Sequence, residues 1–236
     1  MGRNAIGIEM KREVLADKLV SMIAAIQRDH PLRVGIDGVD GVGKTTLADE
    51  LVGPLRNLNR RVIRASVDGF HNPASIRYRQ GPLSPRGYFL DSFNYEALRT
   101  DLLNPLGPNG SRLYRTRVFD HRTDSEVIAQ YERAEAGDVL LFDGIFLQRD
   151  ELQGCWDFVI WVEADFETTI ERALARDSSG APEPEFDSSQ LAEKYIKRYV
   201  PGQKLYIEEC RPRENAHVVV KNGDLLNPEL EPGSAG

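Results

Sequence analysis

Gly38-Val-Asp-Gly-Val-Gly-Lys-Thr45 fits the spacing G-x-x-x-x-G-K-[ST], and the reading of the whole chain turns on it. Glycines in such a loop let successive backbone N–H groups turn inward around a phosphate, where a Cβ would clash. The lysine then brings a point charge to the outer phosphate oxygens, and the hydroxyl after it is a ligand for Mg²⁺. On this reading Gly38, Val39, Asp40, Gly41, Val42, Gly43, Lys44, Thr45 and Thr46 cradle a nucleoside triphosphate. The flanks agree. Leu32-Arg-Val-Gly-Ile-Asp37 reads as a buried strand entering the loop. Thr45-Thr-Leu-Ala-Asp-Glu-Leu-Val52 reads as a helix leaving it, so that phosphate meets a helix N-terminus.

Outward from the loop, helical and extended patterns alternate, as a parallel sheet with crossover helices requires. Leu15, Leu19, Met22, Ile23 and Ile26 make the apolar face of a first helix, which Asp29-His-Pro31 stops. Arg61 to Val67 reads as a second strand ending at Asp68. The segment with Gly81, Pro82, Pro85 and Gly87 reads as too irregular for a core element and sits where an acceptor-binding loop would. Tyr95 to Leu103 looks helical, and Asp138–Phe142 and Trp156–Val162 read as further buried strands. A charged helix follows over Phe166–Asp177, then a stretch Ser178–Pro184 suited to a mobile lid, a helix over Leu191–Tyr199 and a last short strand over Ala216–Val220. The expected fold is a doubly wound α/β domain, a parallel sheet flanked by helices with a small lid. Residues 1–30 would be a helix packed on the domain, 31–228 the domain itself with its lid at about 177–190, and 229–236 a flexible tail.

Composition narrows the partners. With 236 residues and a net charge of −7, the chain suits one domain and argues against general binding of nucleic acid or anionic membranes. Cys155 and Cys210 stand far apart without a C-x-x-C spacing, which points away from structural zinc and toward the reducing cytosol. Arg3, Glu9, Lys11, Arg12 and Glu13 leave the first residues without the apolar core expected of a signal peptide, and no apolar run reaches the length of a membrane span. A homo-oligomer, dimer or tetramer, is compatible with these features.

Four constellations give the loop a chemistry. Asp68, in Val67-Asp-Gly-Phe-His71, follows a strand, and in open parallel sheets the crevice lies beyond the C-terminal strand ends. A turn-capping role before Gly69 is the alternative. Asp143 closes the apolar run Val139-Leu-Leu-Phe142 and would assist Mg²⁺ beside Thr45; an Asp-Gly turn is the alternative. Arg172 and Arg176 share a helix face at i and i+4 next to the expected lid, where they could neutralise a transferring phosphoryl group or simply face solvent. The fourth is Arg117-Val-Phe-Asp-His-Arg-Thr123, in which Arg117, His121 and Arg122 are candidate acceptor contacts. From Arg77 to Arg122 the chain has eight arginines, four acids and no lysine. That local excess keeps an anionic acceptor in view, because arginine suits bidentate recognition of phosphate or carboxylate.

Together, Gly35-Ile-Asp-Gly-Val-Asp-Gly-Val-Gly-Lys-Thr-Thr46, Asp68-Gly-Phe-His71, Leu141-Phe-Asp-Gly-Ile-Phe146 and Arg172-Ala-Leu-Ala-Arg-Asp177 resemble the phosphoribulokinase/uridine kinase family, which also includes the P-loop type of pantothenate kinase. The likeness runs from about Leu32 to Pro228. It implies transfer of the γ-phosphoryl group of ATP, with Mg²⁺, to a hydroxyl of a small metabolite. It makes Asp68 the general base and places Arg172 and Arg176 in the lid. It suggests a nucleoside, uridine or cytidine, as acceptor, with pantothenate or a sugar phosphate as the alternative. The acceptor blocks differ from the uridine kinase pattern. Phe119-Asp-His-Arg122 puts His directly after Asp, and the family's Phe-Asp-His-Pro is matched only by Phe93-Asn94, with Asp91 as a nearby substitute carboxylate. A regulatory GTPase would need an N-K-x-D block, which Lys221-Asn-Gly-Asp224 does not provide. A nucleotide switch or other ATPase is the remaining alternative class.

Overall fold

The computed structural model describes residues 8–178 and 188–234. Its strands are β1 (Ile8–Glu9), β2 (Leu32–Gly38), β3 (Val62–Ser66), β4 (Leu113–Tyr114), β5 (Phe119–Asp120), β6 (Ser125–Glu126), β7 (Glu132–Arg133), β8 (Val139–Gly144), β9 (Phe158–Glu163), β10 (Val218–Lys221) and β11 (Glu229–Pro232). Its helices are α1 (Arg12–Ala25), α2 (Lys44–Asn57), α3 (Ala74–Arg77), α4 (Pro85–Asp91), α5 (Tyr95–Leu98), α6 (Phe166–Ser178), α7 (Ser188–Lys194) and α8 (Val200–Cys210).

The main sheet runs β1-β11-β10-β9-β2-β8-β3. From β10 to β3 every pairing is parallel, and β11 and β1 add antiparallel strands at one edge. The strand that enters the glycine-rich loop is therefore central. Its seven residues are all buried, as expected of a parallel strand covered on both faces. Register sets Ser66 opposite Asp143 and Asp37 opposite Gly144. The parallel strands consequently end together, and the loops after β2, β3, β8 and β10 gather at one edge.

Several expected boundaries move. Helix α1 buries Leu15, Leu19, Val20 and Ile23, whereas Met22 is exposed, so the apolar face turns toward Val20. The proline- and glycine-rich segment after Asp68 contains two short helices, and Tyr88, Phe89 and Phe93 are core residues. Ser84 caps α4 by accepting the Gly87 N–H, and Pro85 occupies its first turn, so the same residues that suggest irregularity start a helix. Residues 229–232, expected in a flexible tail, pair as β11 with β10 and β1. The expected lid stretch, 179–187, lies outside the described residues. No helix among the described residues is long and apolar enough to cross a membrane.

Candidate active site

A cavity of ≈ 810 Å³ opens at the C-terminal edge of the sheet. Its floor is the loop between β2 and α2. Gly41 and Gly43 both have positive φ, +75° and +95°. A Cβ on Gly41 would lie 2.2 Å from the Thr169 carbonyl oxygen of α6, and one on Gly43 would lie 2.7 Å from Asn222 Nδ2. Glycine is therefore required twice over, by conformation and by close approach. Lys44 folds over the loop, donating to the Val39 carbonyl at 2.8 Å.

Thr45 Oγ1 donates to Asp143 Oδ2 at 2.6 Å. Asp143 lies within β8 and is 3% exposed, so the turn alternative for it does not apply. Its other oxygen, Oδ1, is ion-paired with Arg64 Nη2 at 2.9 Å without hydrogen-bond geometry, and it has no hydrogen-bond partner among the described residues. A hydroxyl and a carboxylate in contact, with one buried oxygen unsatisfied, form a hard donor set that fits Mg²⁺.

Asp68 sits on a 3₁₀ turn, Val67–Phe70, directly after β3, and lines the same cavity. The turn is capped by Ser66 Oγ, which accepts the Asp68 N–H at 3.3 Å. The Asp68 carboxylate itself is exposed and makes no hydrogen bond or ion pair among the described residues. Capping therefore falls to Ser66, and the capping alternative for the Asp68 side chain does not apply.

Strand β5 carries the fourth constellation to this point. Val118 N–H donates to the Gly69 carbonyl at 2.8 Å, and a Cβ on Gly69 would meet Arg117 Cβ at 2.7 Å. The His121 ring lies 4.5 Å from that of His71, whose Nδ1 is 3.0 Å from the Asp68 carbonyl oxygen. Asp68, Arg117 and His121 are thus neighbours. Arg122 is exposed on the following turn, its N–H donating to Asp120. Asp91 is not brought to them: it is 3% exposed, with Arg79 at 2.5 Å and Gln80 at 2.6 Å on its two oxygens. Most of the arginine excess is committed in the same way. Arg77 pairs with Asp124, Arg86 with Glu209 and Arg115 with Asp101, and Arg112 bonds the Asp29 carbonyl.

Two groups beside the loop go unnoticed in the sequence. Asp37, at the end of β2, is fully buried and accepts from Tyr206 Oη, from Gln148 Nε2 at 3.0 Å and from the Gly38 N–H at 2.9 Å. Burial pushes its pKa up from 3.8 to about 6, against the pull of those donors and of Lys44. A carboxyl with a raised folded-state pKa takes up a proton on folding. Its stabilising contribution is complete below 3.8 and is lost as pH rises through about 6. The unfolding midpoint of the nucleotide-free protein should accordingly fall between about pH 4 and pH 6.5. Asp37→Asn should flatten that decline in urea titrations, and equal slopes in the two proteins would assign the proton elsewhere.

The sequence matches the model of the phosphoribulokinase/uridine kinase family over residues 34–224. The chain belongs to that family. It is 29% identical over 197 residues to uridine-cytidine kinase B of Dictyostelium discoideum, covering 80% of this chain and 78% of that one. It is 22% identical over 211 residues to the uridine kinase of Lactobacillus helveticus, covering 86% and 95%. A structure described as a possible uridine kinase from Bacillus stearothermophilus superposes with a TM-score of 0.67 at 26% identity, covering 86% and 96%. The family expected from the sequence is borne out, and so is its α/β fold. This family member is a phosphotransferase that acts on a hydroxyl.

The two arginines expected in the lid part ways here. Arg172 donates to the Asn222 and Gly223 carbonyls at 2.8 and 2.7 Å, tying α6 to the loop after β10. Asn222, fully buried, donates to the Val42 carbonyl at 2.7 Å and accepts from Arg12 Nη1 at 2.6 Å. The side chain of Arg176 lies outside the described residues. Arg172 therefore holds one wall of the cavity beside the phosphate loop, which moves its expected effect from turnover to nucleotide affinity. Arg172→Ala should weaken ATP binding about tenfold, as two charge-assisted bonds are lost on a half-exposed group. Calorimetry with Mg·ATP checks this, and a lower kcat at unchanged affinity would restore a lid role.

Proposed function

We propose that the protein transfers the γ-phosphoryl group of ATP, with Mg²⁺, to a hydroxyl of a nucleoside, uridine or cytidine. The observation that carries this reading is the Asp68 carboxylate, without a partner among the described residues, in the same cavity as the phosphate loop. The loop amides and Lys44 hold the phosphates, and Thr45 and Asp143 hold the metal. Mg²⁺ supplies neutralisation of charge on the bridging and outer phosphate oxygens. Asp68 accepts the proton of the acceptor hydroxyl and orients its oxygen toward the γ-phosphorus. Arg117 and His121, which pack close to the turn that carries Asp68, would contact the acceptor from outside the cavity lining. Uridine and cytidine as acceptors follow the named activities of the relatives, and a cytoplasmic location follows the two free cysteines.

An anionic acceptor draws on the arginine excess, and the ion pairs of Arg77, Arg79, Arg86 and Arg115 leave that reading with little beyond Arg117 near the cavity. The test is ADP release with a panel of nucleosides, pantothenate, sugar phosphates and glycerate. Turnover with uridine or cytidine alone is expected. Turnover with an anionic member only would replace the acceptor, and ADP release that no acceptor stimulates would make the protein an ATPase.

A further inference from the structure

Asp40 is the third residue of the phosphate loop, and a carboxylate there works against the loop's own task. The surrounding amides are arranged for anions, and a like charge raises the cost of placing phosphate beside them. A neutral side chain would cradle phosphate at least as well. The structure instead anchors this carboxylate with care. Asp40 Oδ2 accepts from Tyr88 Oη at 2.7 Å and from Gln203 Nε2 at 2.9 Å, while the Asp40 N–H donates to Gln203 Oε1 at 3.3 Å. Both partners are buried, Tyr88 at 8% and Gln203 at 2% exposure. Tyr88 is fixed in turn by the rings of Phe146 and Tyr199, 5.1 and 4.8 Å away. Gly202 permits the close approach of α8 to α4 that brings Gln203 in, since a Cβ there would lie 2.8 Å from the Pro85 carbonyl and from Tyr88 Cδ1.

One oxygen is thus held by two buried donors. The other, Oδ1, has no partner among the described residues, and Asp40 lines the cavity together with Asp68. A charged acceptor locked in position beside the phosphoryl-transfer site is a preorganised recognition group. We propose that Asp40 is an acceptor-binding residue whose Oδ1 takes a hydrogen bond from a second donor of the acceptor, next to the hydroxyl that is phosphorylated. The substrate class is then a neutral polyol, such as the diol of a ribose, and an anionic group at that place is rejected by like charge. This deepens the proposed function and rests on it.

The test is a cycle between the residue and the ligand group. Wild type and Asp40→Ala are assayed with uridine, 2′-deoxyuridine and 3′-deoxyuridine, and Mg·ATP affinity is measured on both proteins by calorimetry. Asp40→Ala should lower kcat/KM for uridine 10–100-fold, chiefly through KM, with the ATP dissociation constant within about threefold of wild type. One deoxy analogue should show the same loss with the wild type and no further loss with the variant. Asp40→Asn, which keeps shape and an oxygen for Tyr88, carries the same comparison should the alanine variant not fold. Additive losses with both analogues, or a parallel fall in ATP affinity, would reduce Asp40 to shaping the loop. Failure of the nucleoside reading shows in the wild type alone. If another polyol is the acceptor, the cycle is run with it and its deoxy forms, and a wild type that turns over only anionic acceptors, or none, overturns the proposal.

Discussion

Asp68→Asn should lower kcat by roughly 10²–10⁴ while Mg·ATP affinity stays within a few-fold of wild type. An alcohol is a poor nucleophile at neutral pH unless its proton is received as the bond to phosphorus forms. Asp68 is suited to receive it because its carboxylate has no partner among the described residues and lies just beyond β3, in the cavity that the phosphate loop floors. Asparagine keeps the shape and the hydrogen-bonding reach but cannot accept a proton. Ser66 Oγ, not the Asp68 side chain, caps the turn, so the substitution leaves the local fold intact. Asp143 cannot substitute, since its Oδ2 is engaged by Thr45 and Arg64 stands beside its Oδ1. Activity and calorimetry on one preparation separate the outcomes: joint loss of ATP binding and turnover would make Asp68 a metal ligand, and unchanged turnover would remove it from the chemistry.

Lys44→Ala comes next in size, with an expected rate loss of about 10²–10³. The ammonium is the loop's own cation; among the described residues its hydrogen bond goes to the Val39 carbonyl, and its pull on buried Asp37 is outweighed by the cost of burying that carboxylate, so little folding stability depends on it. Its worth lies in following the phosphate charge into the transition state. Circular dichroism and thermal unfolding should match wild type. A folded variant with near-native turnover would sink the phosphate-loop reading.

What the sequence discloses, and what it hides, divides along a physical line. The loop, β2, β8, β9 and the start of α2 are legible because each is a local signal: glycine spacing, continuous apolar runs, a helix after a lysine. Asp143 is legible for the same reason. The segment from Asn72 to Asn94 is not. Its helices are short, its Pro and Gly mimic loop composition, and the burial of Tyr88 and Phe89 comes from contacts with Phe146 and Tyr206, distant in the chain. Arginine counts mislead likewise, since only the folded chain reveals that Asp124, Glu209 and Asp101 pair with them. Asp91 shows the converse, a carboxylate near the right motif that the fold turns inward to Arg79 and Gln80. Asp37 and Asn222 had a signal that could have been used. One is an acid closing an apolar strand, the other a polar residue at the end of the final parallel strand, and both positions face the crevice in such sheets.

The antiparallel edge of the sheet sets a timetable for synthesis. Ile8 pairs with Leu230, and Glu9 with Glu229, so two short strands meet across nearly the whole length of the chain. A ribosome adding roughly 5–20 residues per second leaves β1 without its partner for on the order of ten seconds or more. Residues 32 to 221 hold the five parallel strands, so β1 and β11 both join the sheet from outside that span. Until β11 emerges, the outer side of β10 shows unpaired N–H and C=O groups to any other extended chain nearby. Strand β11 is therefore the latch that ends the exposure, and β1 finds its partner only once β11 is in place.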